Sequence, residues 1–189
     1  MTALLPRDFF TRDALVVAPA LLGKLLVREV DGMRLTGRIV EVEAYLGAED
    51  AASHAYRGRT PRNASMFGPP GHAYVYLIYG IHHCLNVVTG PAGQAQAVLI
   101  RAIQPIEGLA AMRMMRGRAT MRHLTDGPGK LCQALRIDRS HDGHDLCLGQ
   151  ALWLEDAPTP NAPILSSPRI GIRGDELALA RAWRYAIAS

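Results

Sequence analysis

Cysteine is scarce in this sequence, and the three residues present do not form a C-x-x-C pair. Cys84, Cys132 and Cys147 are scattered and odd in number, which argues against a disulfide framework and indicates a reducing compartment. An apolar run of about 18 residues is also missing, so we expect no membrane span. Arg7 and Asp8 precede any sustained apolar run, and we expect no signal peptide. These absences predict a cytoplasmic protein.

A strong excess of one charge is missing as well. The net charge is +4 and the isoelectric point about 9.2, values that permit a polyanionic partner but also occur in many proteins without one. The 189 residues, 49% of them apolar, are enough to bury a core. We therefore predict one domain over residues 1–189.

The nucleotide motif in the sequence is incomplete. "DGPGK", residues 126–130, lacks the glycine spacing of a P-loop, and Leu131 replaces its hydroxyl residue, so we expect no bound ATP. Lys130, at a bare helix start, is a candidate for binding one backbone phosphate, although a simple turn and cap explains the motif equally well.

Two histidine pairs make poor metal sites. His82 and His83 are adjacent in a predicted strand and point to opposite faces. His141 and His144 lie in a polar stretch without the H-E-x-x-H pattern of a metal-binding helix. Solvated histidines are the better interpretation, and we predict neither a metal nor another cofactor.

Alternating apolar and polar residues predict most of a sheet. Residues 26–46 alternate around the turn signal Asp31-Gly32 and predict a β-hairpin. "AYVYLIYG", "IHHCLNVVT" and "QAVLIRAIQP" predict three strands of an antiparallel meander. Residues 47–72 form a long loop rich in Gly, Pro, Ala and Arg, and such loops are usually functional or disordered. Adjacent strands joined by short turns indicate an α+β fold.

Helix signals occur in three places. Residues 11–27 predict one or two short helices, with Thr11 as N-cap and Pro19 at the start of the second. "PIEGLAAMRMMRGR" predicts a helix that begins at Pro105. "DGPGKLCQALRI" predicts a turn that leads into a helix, and the Pro-rich part after residue 151 contains short strand-like pieces such as "RIGI".

Aromatic residues are few, yet three of the six tyrosines lie in "YVYLIYG", residues 74–80. In a strand, Tyr74 and Tyr76 share one face and Tyr79 points from the other. A core strand more naturally uses Val, Ile and Leu, so we expect at least one ring to meet something other than core. Packing of all three rings in the core is the alternative.

Two carboxylates stand two positions apart in "GRIVEVEAY". In a strand Glu41 and Glu43 face the same side, which in an arbitrary sequence is most simply a solvated face. They lead directly into the long loop that contains His54, and reacting groups are common where a strand feeds such a loop. A carboxylate held against a low-dielectric wall can deprotonate a water.

Four segments of the chain resemble one family. "GRIVEVEAYLGAEDAASH", "TPRNASMFGPPGHAYVYLIYGIHHCLNVV", "AVLIRAIQPIEG" and "GPGKLCQAL" are similar, in order, to the signature segments of the alkyladenine (3-methyladenine) DNA glycosylases. The resemblance covers about residues 6–172. It implies a curved, mainly antiparallel sheet with surrounding helices and a β-hairpin that protrudes into the DNA minor groove. It also implies hydrolysis of the N-glycosidic bond of damaged purines, without a metal, a cofactor or a lyase step.

The same resemblance implies a role for individual residues. Glu43 matches the residue that activates water, and Arg101 matches one that helps to hold that water or a nearby phosphate. Tyr45, His54 and Tyr76 match the rings that sandwich the extruded base. A ring that stacks on a base contributes about 1–3 kcal/mol.

Two further matches concern the duplex and selectivity. Tyr79 matches the hairpin residue that fills the gap left by the extruded base, and Asn86 matches the residue that crowds the 2-amino group of guanine. The resemblance thus implies a monomeric enzyme of base excision repair that acts on double-stranded DNA containing 3-methyladenine, hypoxanthine or ethenoadenine, associated with the nucleoid in the cytoplasm.

Two other functions stay open from the sequence. The first is a non-catalytic protein that binds distorted DNA through the hairpin. The second is a metal-dependent hydrolase that uses Glu41, Glu43 and histidines. Base release from damaged DNA in the presence of a chelator separates the three alternatives.

Overall fold

A computed structural model describes residues 3–117, 120–159 and 161–188. Residues 1, 2, 118, 119, 160 and 189 of the predicted domain lie outside the described residues. The strands are β1 Leu25–Val30, β2 Met33–Tyr45, β3 Ala73–Ile78, β4 His82–Thr89, β5 Gln96–Glu107, β6 Leu152–Glu155, β7 Ile164–Ser167 and β8 Arg184–Ile187. The α-helices are α1 Arg7–Phe10, α2 Ala14–Leu21, α3 Leu109–Met115, α4 Pro128–Ala134 and α5 Glu176–Ala180. Short 3₁₀ helices are Gly47–Glu49, Ala64–Phe67, Met121–His123 and Arg139–His141.

The strands form one curved antiparallel sheet in the order β3-β4-β5-β2-β1-β6. The long strand β2 is its centre: one edge pairs with β5, and the other pairs first with β1 and then with β8, which also pairs with β7. Register shifts on both sides of Glu41 interrupt the β2–β5 ladder. Such bulges bend a strand and increase its twist. The predicted α+β fold with a curved antiparallel sheet is confirmed.

The predicted hairpin and meander are both confirmed. β1 and β2 join through Asp31 and Gly32, whose φ angles of 51° and 72° match the two-residue turn that Asp-Gly favours. β3, β4 and β5 pair in sequence as an antiparallel meander. The tip of the β3–β4 hairpin is exposed at Tyr79 and Ile81, so this hairpin protrudes from the fold.

Alternate residues of the meander belong to two separate apolar clusters. Val75 and Leu85 join the main core, which helices α2 and α4 cover. Tyr74, Tyr76 and Leu99 belong to a second cluster. Because side chains alternate across a strand, the two tyrosines share one face, as predicted.

The prediction for the first helix was wrong at its start. Asp13, not Thr11, is the N-cap of α2, because its carboxylate accepts a hydrogen bond of 2.8 Å from the Leu15 N–H. Thr11 instead follows the end of the short helix α1. Pro19 lies inside α2 and does not begin a second helix.

The predicted helix start at Pro105 was also wrong, because β5 continues to Glu107 and Pro105 still pairs with Gly37 of β2. Helix α3 starts only after Gly108, which turns the chain with a φ of 77°. A Cβ at this glycine would come within 2.3 Å of the Leu35 side chain. The turn therefore requires glycine, and the helix cannot begin earlier.

Two other sequence expectations concern the chain outside the sheet. The turn and helix predicted for "DGPGKLCQALRI" are confirmed by α4. The strand predicted for "RIGI", residues 169–172, is wrong: the segment carries no strand and runs beside the end of β2. Across the described ranges, every helix is too short or too polar to cross a bilayer.

Candidate active site

A cavity of about 660 Å³ lies beside the second apolar cluster. Its volume falls in the range of small-ligand sites, about 300–1,000 Å³. Its wall comes from the end of β2, the following loop, strands β3 to β5 and the segment 170–173. The wall includes six of the predicted site residues, namely Tyr45, His54, Tyr76, Tyr79, Asn86 and Arg101. The fold thus brings together residues that are far apart in the sequence.

Glu43 lies behind this wall and is fully buried. Its Oε1 accepts a hydrogen bond of 2.8 Å from the Ile170 N–H and lies 3.2 Å from Nη1 of Arg101. Its Oε2 accepts a hydrogen bond of 2.8 Å from the Tyr45 hydroxyl. All three partners belong to residues that line the cavity, so the carboxylate is fixed one layer below the surface that a ligand would touch.

Arg101 links the two carboxylates of β2. Its Nε donates to Glu41 Oε1 at 2.8 Å, while its Nη1 faces Glu43. Arg184 of β8 donates to the same oxygen of Glu41 at 2.6 Å. Burial alone lowers the pKa of Arg101, but the charges of Glu43 and Glu41 raise it overall. The guanidinium therefore stays charged, and Glu41 is bound by arginines and is not a solvated strand residue.

A group of rings forms one side of the cavity. The centroids of His54 and Tyr76 are 4.5 Å apart with an interplanar angle of 74°, and those of Tyr74 and Tyr76 are 5.3 Å apart. His54 Nδ1 and the Tyr74 hydroxyl share a hydrogen bond of 2.8 Å. Burial, with a smaller contribution from the Arg62 charge, lowers the pKa of His54. The lowered pKa favours the neutral imidazole.

Tyr45 completes the set of predicted base-contacting rings. Burial, together with the charge of Glu43, raises the pKa of its phenol well above the usual range. The phenol keeps its proton, and this proton is the one donated to Glu43. Burial raises the pKa of Tyr76 in the same way. Tyr45 and Tyr76 thus present neutral surfaces that suit a flat ring.

Asn86 and Lys130 differ in how firmly they are held. Asn86 of β4 is buried, and its side-chain amide donates to the Tyr74 carbonyl at 3.0 Å, which fixes it in the cavity wall. Lys130 of α4 pairs with Asp126 at 2.9 Å, and its side chain is 41% exposed. It stands next to Pro128 and Gly129, which line the cavity.

Tyr79 lies at the tip of the β3–β4 hairpin and forms part of the cavity rim. β3 ends at Ile78, so the turn, and not strand alternation, directs the Tyr79 ring. The residue has a φ of 53° and is 79% exposed. A large side chain with positive φ is uncommon, and one this exposed gains little from packing in its own fold.

The sequence did not identify three parts of this site. Tyr74 was not among the predicted site residues, yet it lines the cavity and shares a hydrogen bond with His54. Ile170 was assigned to a strand, yet its N–H binds Glu43. Arg169, next to it, is fully buried against Tyr45. The only signal in the sequence for the burial of Arg169 is the apolar Ile-Gly-Ile run that follows it, and this signal is weak.

Comparison with known proteins identifies the family. The sequence model described as Methylpurine-DNA glycosylase (MPG) matches residues 8–189. A protein of Anaeromyxobacter dehalogenans strain 2CP-C named "Putative 3-methyladenine DNA glycosylase" is 53% identical over 184 residues, which are 97% of this chain and 83% of that protein. Proteins of the same name from Carboxydothermus hydrogenoformans and Methanocella arvoryzae are 52% and 50% identical, over 89% and 96% of this chain and 88% and 90% of their own lengths.

The match extends over nearly the whole chain, and the aligned relatives are about half identical to it. The residues around the cavity all lie within the matched range. The resemblance found in the sequence is therefore confirmed: the chain belongs to the methylpurine-DNA glycosylase family, a family of DNA glycosylases that serve DNA repair.

Proposed function

We propose that this protein is a monofunctional, monomeric glycosylase that extrudes alkylated or deaminated purines from double-stranded DNA and hydrolyses their N-glycosidic bonds. The substrates would be of the 3-methyladenine, hypoxanthine and ethenoadenine type. One observation carries the proposal: the buried carboxylate of Glu43 is held by Arg101, Tyr45 and Ile170 directly behind a cavity with aromatic walls.

The cavity walls suit a flat purine. Tyr45, His54 and Tyr76 come from different segments and line the same space. Each stacked ring contributes about 1–3 kcal/mol to the binding of an unpaired base. Extrusion of a base costs a few kcal/mol, and this cost is smallest for a base that pairs poorly. The site therefore favours damaged bases before any specific contact is made.

Hydrolysis needs a base for water and stabilisation of positive charge. As the purine leaves with the electron pair of the N-glycosidic bond, C1′ of the deoxyribose becomes oxocarbenium-like. A water that enters the wall between the cavity and Glu43 supplies the oxygen that bonds to C1′, and its proton passes to Glu43, a transfer typically worth about 10²–10⁴-fold in rate. Arg101 holds the Glu43 carboxylate in one orientation and helps to orient the water. An alkylated purine is cationic and leaves readily, whereas hypoxanthine takes a proton from solvent.

The remaining residues act on selectivity and on the duplex. Asn86, fixed by its bond to the Tyr74 carbonyl, would crowd the 2-amino group of guanine. Tyr79 would enter the duplex at the vacated position and offset part of the unstacking cost. Lys130 would contact a phosphate, because its exposed pair with Asp126 is weak and easily exchanged.

The test is Glu43→Gln, with Glu41→Gln as the matched control. Both residues lie in β2 and contact Arg101, and the substitution keeps their size. We expect single-turnover release of hypoxanthine from duplex DNA to fall about 10²–10⁴-fold in Glu43→Gln, with lesion binding retained. Glu41→Gln should lose less than about ten-fold, because Glu41 only supports Arg101.

The assay is run with EDTA and analysed before and after alkali treatment. Release in EDTA with strand cleavage only after alkali supports a metal-free, monofunctional enzyme. Full activity in Glu43→Gln contradicts the assignment of the base. Tight lesion binding by the unaltered protein without any release points instead to a non-catalytic DNA binder.

A further inference from the structure

Arg169 and Asp50 form an ion pair whose side chains are both fully buried. Arg169 Nη1 donates to Asp50 Oδ2 at 2.5 Å and Nη2 donates to Oδ1 at 2.8 Å, so the pair is bidentate. The centre of the guanidinium also lies 4.6 Å from the ring centroid of Tyr45 and 5.0 Å from that of Trp183. Arg169 therefore uses both its planar set of N–H donors and its positive charge, which lies over aromatic rings.

The pair joins segments that are distant in sequence. Arg169 also donates to the carbonyls of Ala44, at the end of β2, and Ala178, in α5, at 3.0 and 3.3 Å. Asp50 accepts from the Leu46 N–H at 3.4 Å and from the Ala52 N–H at 3.1 Å, which shapes the loop that leads to His54. One ion pair therefore connects the end of β2, the cavity loop and the segment 169–173.

Two of the three partners of Glu43 adjoin this pair. Ile170, whose N–H donates to Glu43 Oε1, is the next residue after Arg169. Tyr45, whose hydroxyl donates to Oε2, has the guanidinium over its ring. Arg169 therefore contacts one of these donors and is the chain neighbour of the other.

Stability alone does not account for such a pair. Replacement of a buried ion pair by apolar groups of similar volume is often neutral or stabilising, because two charges must be desolvated. In the described part of the chain, Arg169 Nε is buried without a hydrogen-bond partner, which adds to the cost. The arrangement is better explained by the geometry that it imposes.

We propose that Arg169, held by Asp50, is a positioning residue that orients Glu43 for catalysis through Tyr45 and the Ile170 N–H. The inference rests on the proposed role of Glu43 as the base. Arg169 does not line the cavity, and its main effect is on the hydrolytic step. It should therefore lower the rate of excision more than the affinity for damaged DNA.

The test variant is Asp50→Asn/Arg169→Met, which leaves no unpaired buried charge and keeps an oxygen acceptor for the loop N–H groups. Its matched control is Arg34→Met/Glu155→Gln. Arg34 donates from Nη2 to both oxygens of Glu155, at 2.8 and 2.9 Å, and lies 5.4 Å from the Trp153 ring, but neither Arg34 nor Glu155 lines the cavity. Arg169→Lys tests whether charge alone is enough.

We expect the Asp50→Asn/Arg169→Met variant to melt as one cooperative unit and to bind lesion DNA with a Kd within about three-fold of the unaltered protein. Its single-turnover excision rate should fall about 10- to 100-fold, as for a misplaced catalytic group. Arg169→Lys should lose activity as well, because lysine cannot form the bidentate bond to Asp50 or stack on the Tyr45 ring as arginine does. The Arg34→Met/Glu155→Gln control should keep the full rate.

A second comparison uses the Glu43→Gln background. There the Asp50→Asn/Arg169→Met change should have no further effect, because the group on which it acts is gone. A wild-type rate in the double variant, or an equal loss in the Glu43→Gln background, would overturn the inference. Full activity of Glu43→Gln alone would instead overturn the proposed function.

Discussion

The β1–β2 and β3–β4 turns share two nearly equal φ angles but carry different residues. Asp31 at the β1–β2 turn has a φ of 51° and Tyr79 at the β3–β4 turn a φ of 53°, and the glycine after each has a φ of 72°. Asp31 forms an exposed ion pair with Arg136. Tyr79 is 79% exposed, and Ile81 beside it is 72% exposed.

Folding alone explains the residue at the Asp31 turn, but it does not explain the residue at the Tyr79 turn. Asp tolerates a left-handed conformation because its short side chain bonds locally, whereas for most residues that conformation costs about 1–2 kcal/mol. Tyr79 bears this cost without the burial that normally stabilises an aromatic ring. Strain that persists in a native fold indicates function when an outlier of this kind is observed. The two turns therefore form an internal control for the proposed insertion of Tyr79 into DNA.

The largest expected difference comes from Tyr79→Asn set against Asp31→Asn. Asparagine tolerates the left-handed conformation at both turns, so neither backbone should change. Loss of the ring should weaken lesion binding and excision about 10- to 100-fold, the equivalent of one lost stacking contact of about 1–3 kcal/mol. Stability of Tyr79→Asn should be equal or higher, and Asp31→Asn should excise normally. Fluorescence anisotropy, single-turnover excision and urea unfolding measure the three quantities.

A loss of stability in Tyr79→Asn with unchanged excision would show that the ring serves the fold. The comparison between the turns would then carry no information about DNA. An equal loss of excision in Asp31→Asn would likewise remove the distinction.

The strands around the site could be predicted because their signals are local. Asp31-Gly32 marks one turn, and alternation places Tyr74 and Tyr76 on one face of β3. The spacing of Glu41 and Glu43 likewise predicted one shared face, and both residues meet Arg101.

The segment that covers Glu43 could not be predicted, because its structure depends on contacts between residues far apart in the sequence. Arg169 and Asp50 are 119 positions apart, and neither lies in a periodic pattern. The burial of Arg169 depends on Tyr45 and Trp183, which only the folded sheet brings to it. "RIGI" has the composition of a strand, but its apolar side chains line a cavity and are not paired in a sheet.

A smaller effect is expected from Gly80→Ala and Gly32→Ala, and the loss of stability should be about equal in the two variants. Both glycines have a φ of 72°, and a Cβ at either would meet no atom within 4 Å. Each change should therefore destabilise the protein through backbone strain alone, by about 1–2 kcal/mol. Only Gly80→Ala should also reduce excision, because it displaces the neighbouring Tyr79. Urea unfolding and single-turnover excision of both variants test this. Equal excision by the two would mean that the exact shape of the β3–β4 turn does not matter for activity.

The smallest effect concerns two histidines, His54 and His141. Burial and the Arg62 charge lower the pKa of His54, which is bonded to Tyr74 of β3, and burial and the Arg28 charge of β1 lower the pKa of His141. With a folded-state pKa below the unfolded value of about 6.5, each ring binds fewer protons in the folded state. Its contribution to stability is complete above that pH and is lost as the pH falls below it. His54→Gln and His141→Gln should each flatten the stability profile between about pH 5 and 7.

The pH dependence of the excision rate should differ between the variants of the two histidines. A protonated His54 in the cavity wall would repel a cationic alkylated purine, so release of 3-methyladenine should slow as the pH falls through the His54 pKa. This acid-side decline should disappear in His54→Gln and persist in His141→Gln, whose ring lies outside the cavity wall. The ratio of single-turnover rates at pH 5.5 and 7.5 measures it for each protein. If the ratio is the same in all three, the neutral state of His54 supports the fold as His141 does and has no separate role in excision.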